Sequence, residues 1–255
     1  MRRKGLKGIV GIEAAIVLIA FVIVAAALAF VTLNMGFYTT QRSQQAMSSG
    51  LEEASSALEV DGSVLAYSVK GGDVNFTIIP LKVSPGRGSV DLDPNRTAII
   101  YWLSNYESFA DIYEYYGFVY FNAITGTYNL TLYNRTGEID LVNSGVTGVD
   151  GGIGRSINVT EIYNEINKYH SEKIIGNNNP KDYIIAAMIW IDYSSMDTNL
   201  DLGEKALLLI IFGDNAHKPT SYDVIKVEIK PPTGAALTVE RTMPPGISRG
   251  ITDLG

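Results

Sequence analysis

The chain has 255 residues, a formal net charge of −7, 46% apolar and 18% charged residues, and no cysteine. The length suits one sizeable domain with an appendage, or two small domains, and the apolar content excludes a disordered chain. The acidic balance argues against nucleic acid as a partner, because phosphate binding needs a basic surface; the missing cysteines exclude disulfides, thiolate metal sites and cysteine nucleophiles.

Residues 1–8 are a short leader holding Arg2, Arg3, Lys4 and Lys7. From Ile9 to Leu33 follow 25 residues in which Glu13 is the single charge and Thr32 the one other plainly polar side chain. A helix of that length exceeds the ~30 Å apolar thickness of a bilayer. Beyond it, apolar residues recur at Ala46, Met47, Leu51, Ala54, Ala57 and Leu58 with a polar opposite face. The spacing predicts one helix of about fifty residues over 9–60, ended by Asp61-Gly62.

Residues 61–255 have a β texture. "NFTIIPLKVS", "TAIIYWLS", "GFVYFNAI", "TYNLTLYN", "YIIAAMIWIDY", "KALLLIIFG" and "DVIKVEIK" are short runs rich in Ile, Val, Tyr, Phe and Thr, mostly separated by Gly, Pro, Asn or Asp. Runs at such intervals predict an antiparallel sandwich or barrel. Ile162, Ile166 and Tyr169 stand at helical spacing, so a short helix is expected within 160–174. The expected fold class is α+β, a long N-terminal helix followed by an antiparallel β-sandwich head.

A basic leader before an apolar run has three readings. A secretory signal is cut behind its apolar region, and "ALA" at 27–29 offers a small-x-small site, but the region before it is well beyond the usual length. A signal anchor keeps its helix in the membrane. The third reading cuts in front of the run. Lys7-Gly8-Ile9 resembles the site of prepilin-type signal peptidases, a basic residue, a small one and then the apolar helix; Lys4-Gly5 is a poorer match because Lys7 would follow the cut. A helix that survives such a cut must be buried by lipid or by many copies of itself. Cutting before Ile9 makes Glu13 the fifth residue, which resembles type IV pilins, where an acid there lies near a neighbour's terminal amine. An ammonium and a carboxylate in an apolar bundle each need a partner. The alternative is that Glu13 lies at the headgroup level of a membrane anchor.

The segment "IKVEIKPPTGAALTVERTMPP", residues 225–245, resembles the C-terminal signature of archaellins, the archaeal flagellins, through Pro231, Pro232, Gly234 to Thr238, Glu240, Arg241 and Pro244. The N-terminal run and "PLKVSPGRGSVDLDPNRTAIIYW", residues 80–102, are also similar to that family. The resemblance implies a leader at 1–8, a pilin-like filament-core helix at 9–60 and an extracellular, immunoglobulin-like β head at 61–255. It implies a structural subunit of an extracellular helical filament, the archaellum used for swimming. The partners would be further copies of the chain, a prepilin-type signal peptidase, the membrane before assembly, and the archaellum assembly and motor machinery. Glu13 departs from the pattern, since a small residue is common there, and this keeps an adhesion pilus in view. A membrane-anchored extracellular binding protein is the remaining alternative.

Asn-x-Ser/Thr acceptors occur at Asn75, Asn95, Asn129, Asn134 and Asn158, all in the expected head. The family is commonly N-glycosylated. Asp197, Asn199 and Asp201 have the spacing that opens a calcium loop, but Gly203 comes one residue late and Leu208 stands where a bidentate Glu belongs, so the segment reads first as a solvated turn. Asp91 and Asp93 beside Pro94 read as a turn. His170 and His217 have no matching serine and carboxylate, "DGGIG" at 150–154 lacks the Gly-Lys-Ser/Thr of a phosphate loop, and no enzymatic site or cofactor is expected. The tyrosine-rich "YESFADIYEYYGFVYF" is read as packing.

Overall fold

The computed structural model describes residues 9–54, 57–86, 88–104, 108–122, 127–137, 139–146, 159–174, 183–213 and 218–255. The chain divides into two compact units, residues 1–52 and 53–255.

Helix α1 runs over Ile9–Ala54, 46 residues without a proline, roughly 70 Å. Its many Val and Ile residues are mediocre helix formers. A segment this apolar must nevertheless satisfy its backbone groups internally, and a helix does so. Its threonine hydroxyls bond back to the helix: Thr32, Thr39 and Thr40 donate to the carbonyls of Leu28, Met35 and Gly36 at 2.7, 2.7 and 2.9 Å. The helix is described as far as Ala54 and β1 begins at Leu58, so it does not run to Asp61-Gly62. Ala57 and Leu58, placed by spacing on a helical face, are instead buried in the core of the second unit.

The second unit contains β1 (Leu58–Val60), β2 (Leu65–Ser68), β3 (Phe76–Val83), β4 (Ser89–Asp91), β5 (Ala98–Leu103), β6 (Tyr113–Asn122), β7 (Thr127–Asn134), β8 (Ile139–Val146), α2 (Val159–Ile174), β9 (Ile184–Asp192), β10 (Asn199–Asp201), β11 (Lys205–Phe212), β12 (Val224–Lys230), β13 (Leu237–Thr242) and β14 (Gly250–Asp253). A large sheet has the order β14-β2-β3-β11-β9-β6-β7-β8, and β1 pairs with β3 beyond β2. A small sheet has the order β13-β12-β5, and β10 pairs with β4 as a ribbon. Among the described residues every strand pairing is antiparallel except that of β6 with β9, which is parallel.

Alternate residues of β9 divide between two cores. Ala186, Met188 and Trp190 meet Ile99 and Tyr101 of β5 and Ile225, Val227 and Ile229 of β12 between the two sheets. Ile185, Ala187 and Ile189 face Ile162, Tyr163 and Ile166 of α2 on the other side. The head is therefore a sandwich with a helix on its outer face. Runs such as "IIAAMIWI" lack polar alternation because both faces of these strands are buried. The aromatic residues pack as expected: Phe118 lies 5.3 Å from Trp190 and 5.2 Å from Tyr193, ring centre to ring centre.

Candidate functional site

The feature with no internal account is the surface of α1. Ile16, Val17, Leu18 and Ile19 make one full turn, and each is more than half exposed. The same holds for Phe21, Ile23, Phe30 and Phe37 further along. A soluble helix buries one stripe and leaves the rest polar; this one offers apolar side chains in every direction. It is long and apolar enough to cross a membrane.

Two charges interrupt α1 before Glu52. Glu13 projects from the second turn of the described helix and is exposed. Arg42 lies in the polar half. Its Nε donates to the Tyr38 hydroxyl at 3.2 Å, and its guanidinium sits 5.8 Å from the centre of the Tyr38 ring. The signal of this pair in the sequence is its i, i+4 spacing. Ile9 is the first described residue of the helix; Lys7 and Gly8 lie outside the described residues.

The sequons are unequal. Asn95 is exposed in the turn before β5, and its Nδ2 donates to the Arg135 carbonyl at 3.0 Å. Asn75 is half-buried, and its Oδ1 accepts from the Val69 N–H at 2.8 Å. Asn129 and Asn134 are buried, only 5% and 9% exposed. Asn134 Oδ1 accepts from the N–H and hydroxyl of Thr136 at 3.0 and 2.7 Å. Asn158 lies outside the described residues.

The acidic segment is organised by protein donors. Asp197 Oδ1 accepts the Asn199 N–H at 2.9 Å and Oδ2 the Ser195 hydroxyl at 2.8 Å. Asn199–Asp201 then form β10 against β4. Glu204, which the spacing argument missed, is buried beneath this turn, 6% exposed. Its Oε1 accepts the N–H and hydroxyl of Ser194, and its Oε2 accepts the Asp201 N–H at 3.0 Å. Burial pushes this carboxyl up, but the bonds from Ser194 and Asp201 prevail and hold it below the usual carboxylate range. Among the described residues no group of three or more His, Asp or Glu side chains is placed to hold a metal ion.

Asp91 and Asp93 likewise build a turn: their Oδ1 atoms accept the N–H groups of Asp93 and Asn95, and Asp91 is ion-paired to Arg96. At the start of the head, Lys82 lies 3.0 Å from Glu59 and 3.3 Å from Asp61, and Lys205 lies 2.8 Å from Asp61. The two lysines hold the Asp61 carboxyl below its ordinary value, Lys205 most strongly. His170 lies on α2, and His217 and residues 150–154 lie outside the described residues.

One long helix with no apolar face covered, followed by a β head with a complete core, defines a pilin-like subunit. The chain belongs to the archaeal-type flagellin family, whose pattern matches residues 8–241. It is 40% identical to "Probable flagellin 1" of Aeropyrum pernix over 253 residues, 98% of this chain and 97% of that one. It is 41% identical to "Flagellin FlaB2" of Saccharolobus shibatae over 122 residues, 45% of this chain and 38% of that one. Among solved structures, the archaeal flagellum of Methanospirillum hungatei covers 94% of this chain, with 98% of its own length, at 23% identity and a TM-score of 0.46.

Proposed function

We propose that this chain is the structural subunit of the archaellum filament, with many copies bundling α1 into a core and carrying the β head outside the cell. The observation that carries the reading is the uncovered apolar surface of α1, beside a head whose core is already closed. Apolar area of that extent is strongly unfavourable in water, and a bundle of identical helices removes it. Identical subunits joined head to tail without closure build a helical filament. The role is structural and asks for no catalytic residue.

Before assembly α1 sits in the membrane. A prepilin-type signal peptidase cuts after Gly8, so the division is a leader at 1–8, a core helix from Ile9, and a head that follows. The new terminal amine of one subunit pairs with Glu13 of another inside the bundle, because each charge needs a partner there. Addition of subunits and rotation fall to membrane machinery.

Electron microscopy of filaments purified from the native cells, with mass spectrometry of their subunit, tests the reading. Filaments containing this chain with Ile9 at the mature terminus are expected. A monomer free in the medium would overturn the filament, and a mature chain starting at Met1 or Arg2 would favour a permanent anchor. Deletion separates motility from adhesion: swimming is lost in the first case, surface attachment alone in the second.

A further inference from the structure

We propose that a phospholipid bilayer holds the uncut precursor at one fixed depth, with Ala14–Leu33 filling the hydrocarbon, Glu13 at one headgroup layer, and Tyr38 with Arg42 at the other. The proposal rests on the membrane-held precursor described above and adds the register of α1 in that membrane. Ala14–Leu33 are 20 residues, and at about 1.5 Å each they span about 30 Å, the thickness of the hydrocarbon layer. Polar side chains bound that segment on both sides, Glu13 immediately before it and Asn34 immediately after it. Within it the one polar group is the Thr32 hydroxyl, already bonded to the Leu28 carbonyl at 2.7 Å.

Any other register is worse. Sliding the helix so that Ile9–Leu28 fill the layer carries the Glu13 carboxylate into hydrocarbon, where an unpaired charge is strongly disfavoured. Sliding it the other way carries in Asn34. The far side is fixed by Tyr38 and Arg42, one and two turns beyond Asn34. An amphipathic ring and a cation bonded to each other suit the headgroup layer. Lys4 and Lys7 stand on the Glu13 side, which places that end in the cytoplasm. The acid inside the apolar run thus meets no lipid chain before assembly; it is the depth stop of the precursor.

The absence of cysteine makes the test clean. Single cysteines introduced along α1 of the full-length precursor, in phosphatidylcholine vesicles, carry a nitroxide whose collisions with oxygen and with a water-soluble nickel chelate report depth. Maximal oxygen access is expected at Ile23–Val24, the middle of Ala14–Leu33, with nickel access rising at Ile12 and from Met35 onward. In a Glu13→Leu background the apolar stretch extends back to Ile9, and the maximum should move to Phe21, a shift of two to three residues. A wild-type maximum at Phe21 or nearer the N-terminus, or a profile unchanged by Glu13→Leu, would overturn the fixed depth alone. Nickel access at every position would overturn the membrane-held precursor itself, and filament micrographs judge the assembly reading separately.

Discussion

The buried carboxylate of Glu204 accepts both the backbone N–H and the hydroxyl of Ser194, at 2.5 and 2.6 Å, and so ties the segment just after β9 to the start of β11. Its second oxygen holds the Asp201 N–H. Glu204→Ala leaves these donors buried without their acceptor and should destabilise the head by about 2–3 kcal/mol. Thermal unfolding of the detergent-held chain, followed by the fluorescence of core Trp190, should show a midpoint roughly 5–10 °C lower. An unchanged midpoint would remove the assigned role.

The same carboxylate sets an acid limit. Glu204 and Asp61 both lie below the ordinary carboxylate range in the folded head. As pH falls, the unfolded chain therefore takes up protons first. Stability is full above the unfolded carboxylate value of about 4 and is lost as pH drops through the lower folded values. Denaturant midpoints measured between neutral pH and acid should hold level and then fall. In Glu204→Gln the fall should be shallower.

Gly117 is fixed by space rather than by dihedral angle. A Cβ there would stand 2.6 Å from the backbone oxygen of Thr131, with Leu132 and Ile189 side chains at 3.2 and 3.4 Å. The nearest atom is backbone and cannot swing aside, so Gly117→Ala should part β6 from β7 and cost about 1–3 kcal/mol. Gly246 has nothing within 4 Å, and Gly246→Ala should fall within about 0.5 kcal/mol of the parent. Equal midpoints for the two variants in denaturant would refute the packing argument.

Much of this architecture was legible in the residues, and the failures have physical causes. The long helix was plain because no proline and one acid interrupt its apolar run. Its end is not legible there, because Ala57 and Leu58 continue a helical spacing, while the cross-strand pairing of Leu58 with Val83 decides their state. Local pattern cannot see that partner. The β6–β9 pairing was equally invisible: Phe118 lies beside Trp190 across a stretch containing β7, β8 and α2. Glu204 carries no such signal, since the metal-loop spacing picks out Asp197, Asn199 and Asp201, whereas burial singles out the acid beyond them. The surface of the first half of α1, by contrast, needs only composition, since apolar residues at every angle of Ile9–Leu33 leave no polar face to turn outward.

Glycan attachment should follow exposure. A glycan on a folded head must leave through solvent, whenever it was added. Asn95 meets this condition, whereas Asn129 and Asn134 are buried. Mass spectrometry of purified filaments should show Asn95→Gln lighter by one glycan. Asn129→Gln and Asn134→Gln should leave the glycan complement unchanged. A glycopeptide carrying modified Asn129 would contradict the packing of β7.

Glu13 bears most directly on assembly. In the proposed bundle its carboxylate meets the amine made by cutting after Gly8, and each group would otherwise be a buried, unpaired charge. Glu13→Gln keeps shape and polarity but removes the negative charge, so the amine of the neighbouring subunit loses its partner. Secretion and cutting precede that encounter and should continue. The expected outcome is processed subunit accumulating in the membrane fraction, with filament number on micrographs reduced at least tenfold, the effect of about 1.4 kcal/mol per added subunit if it acted once. Glu13→Asp retains the charge on a shorter arm and should assemble better than Glu13→Gln. Filaments of normal number and length from Glu13→Gln would show that charge pairing is not what the acid supplies, leaving its place in the bilayer as its role.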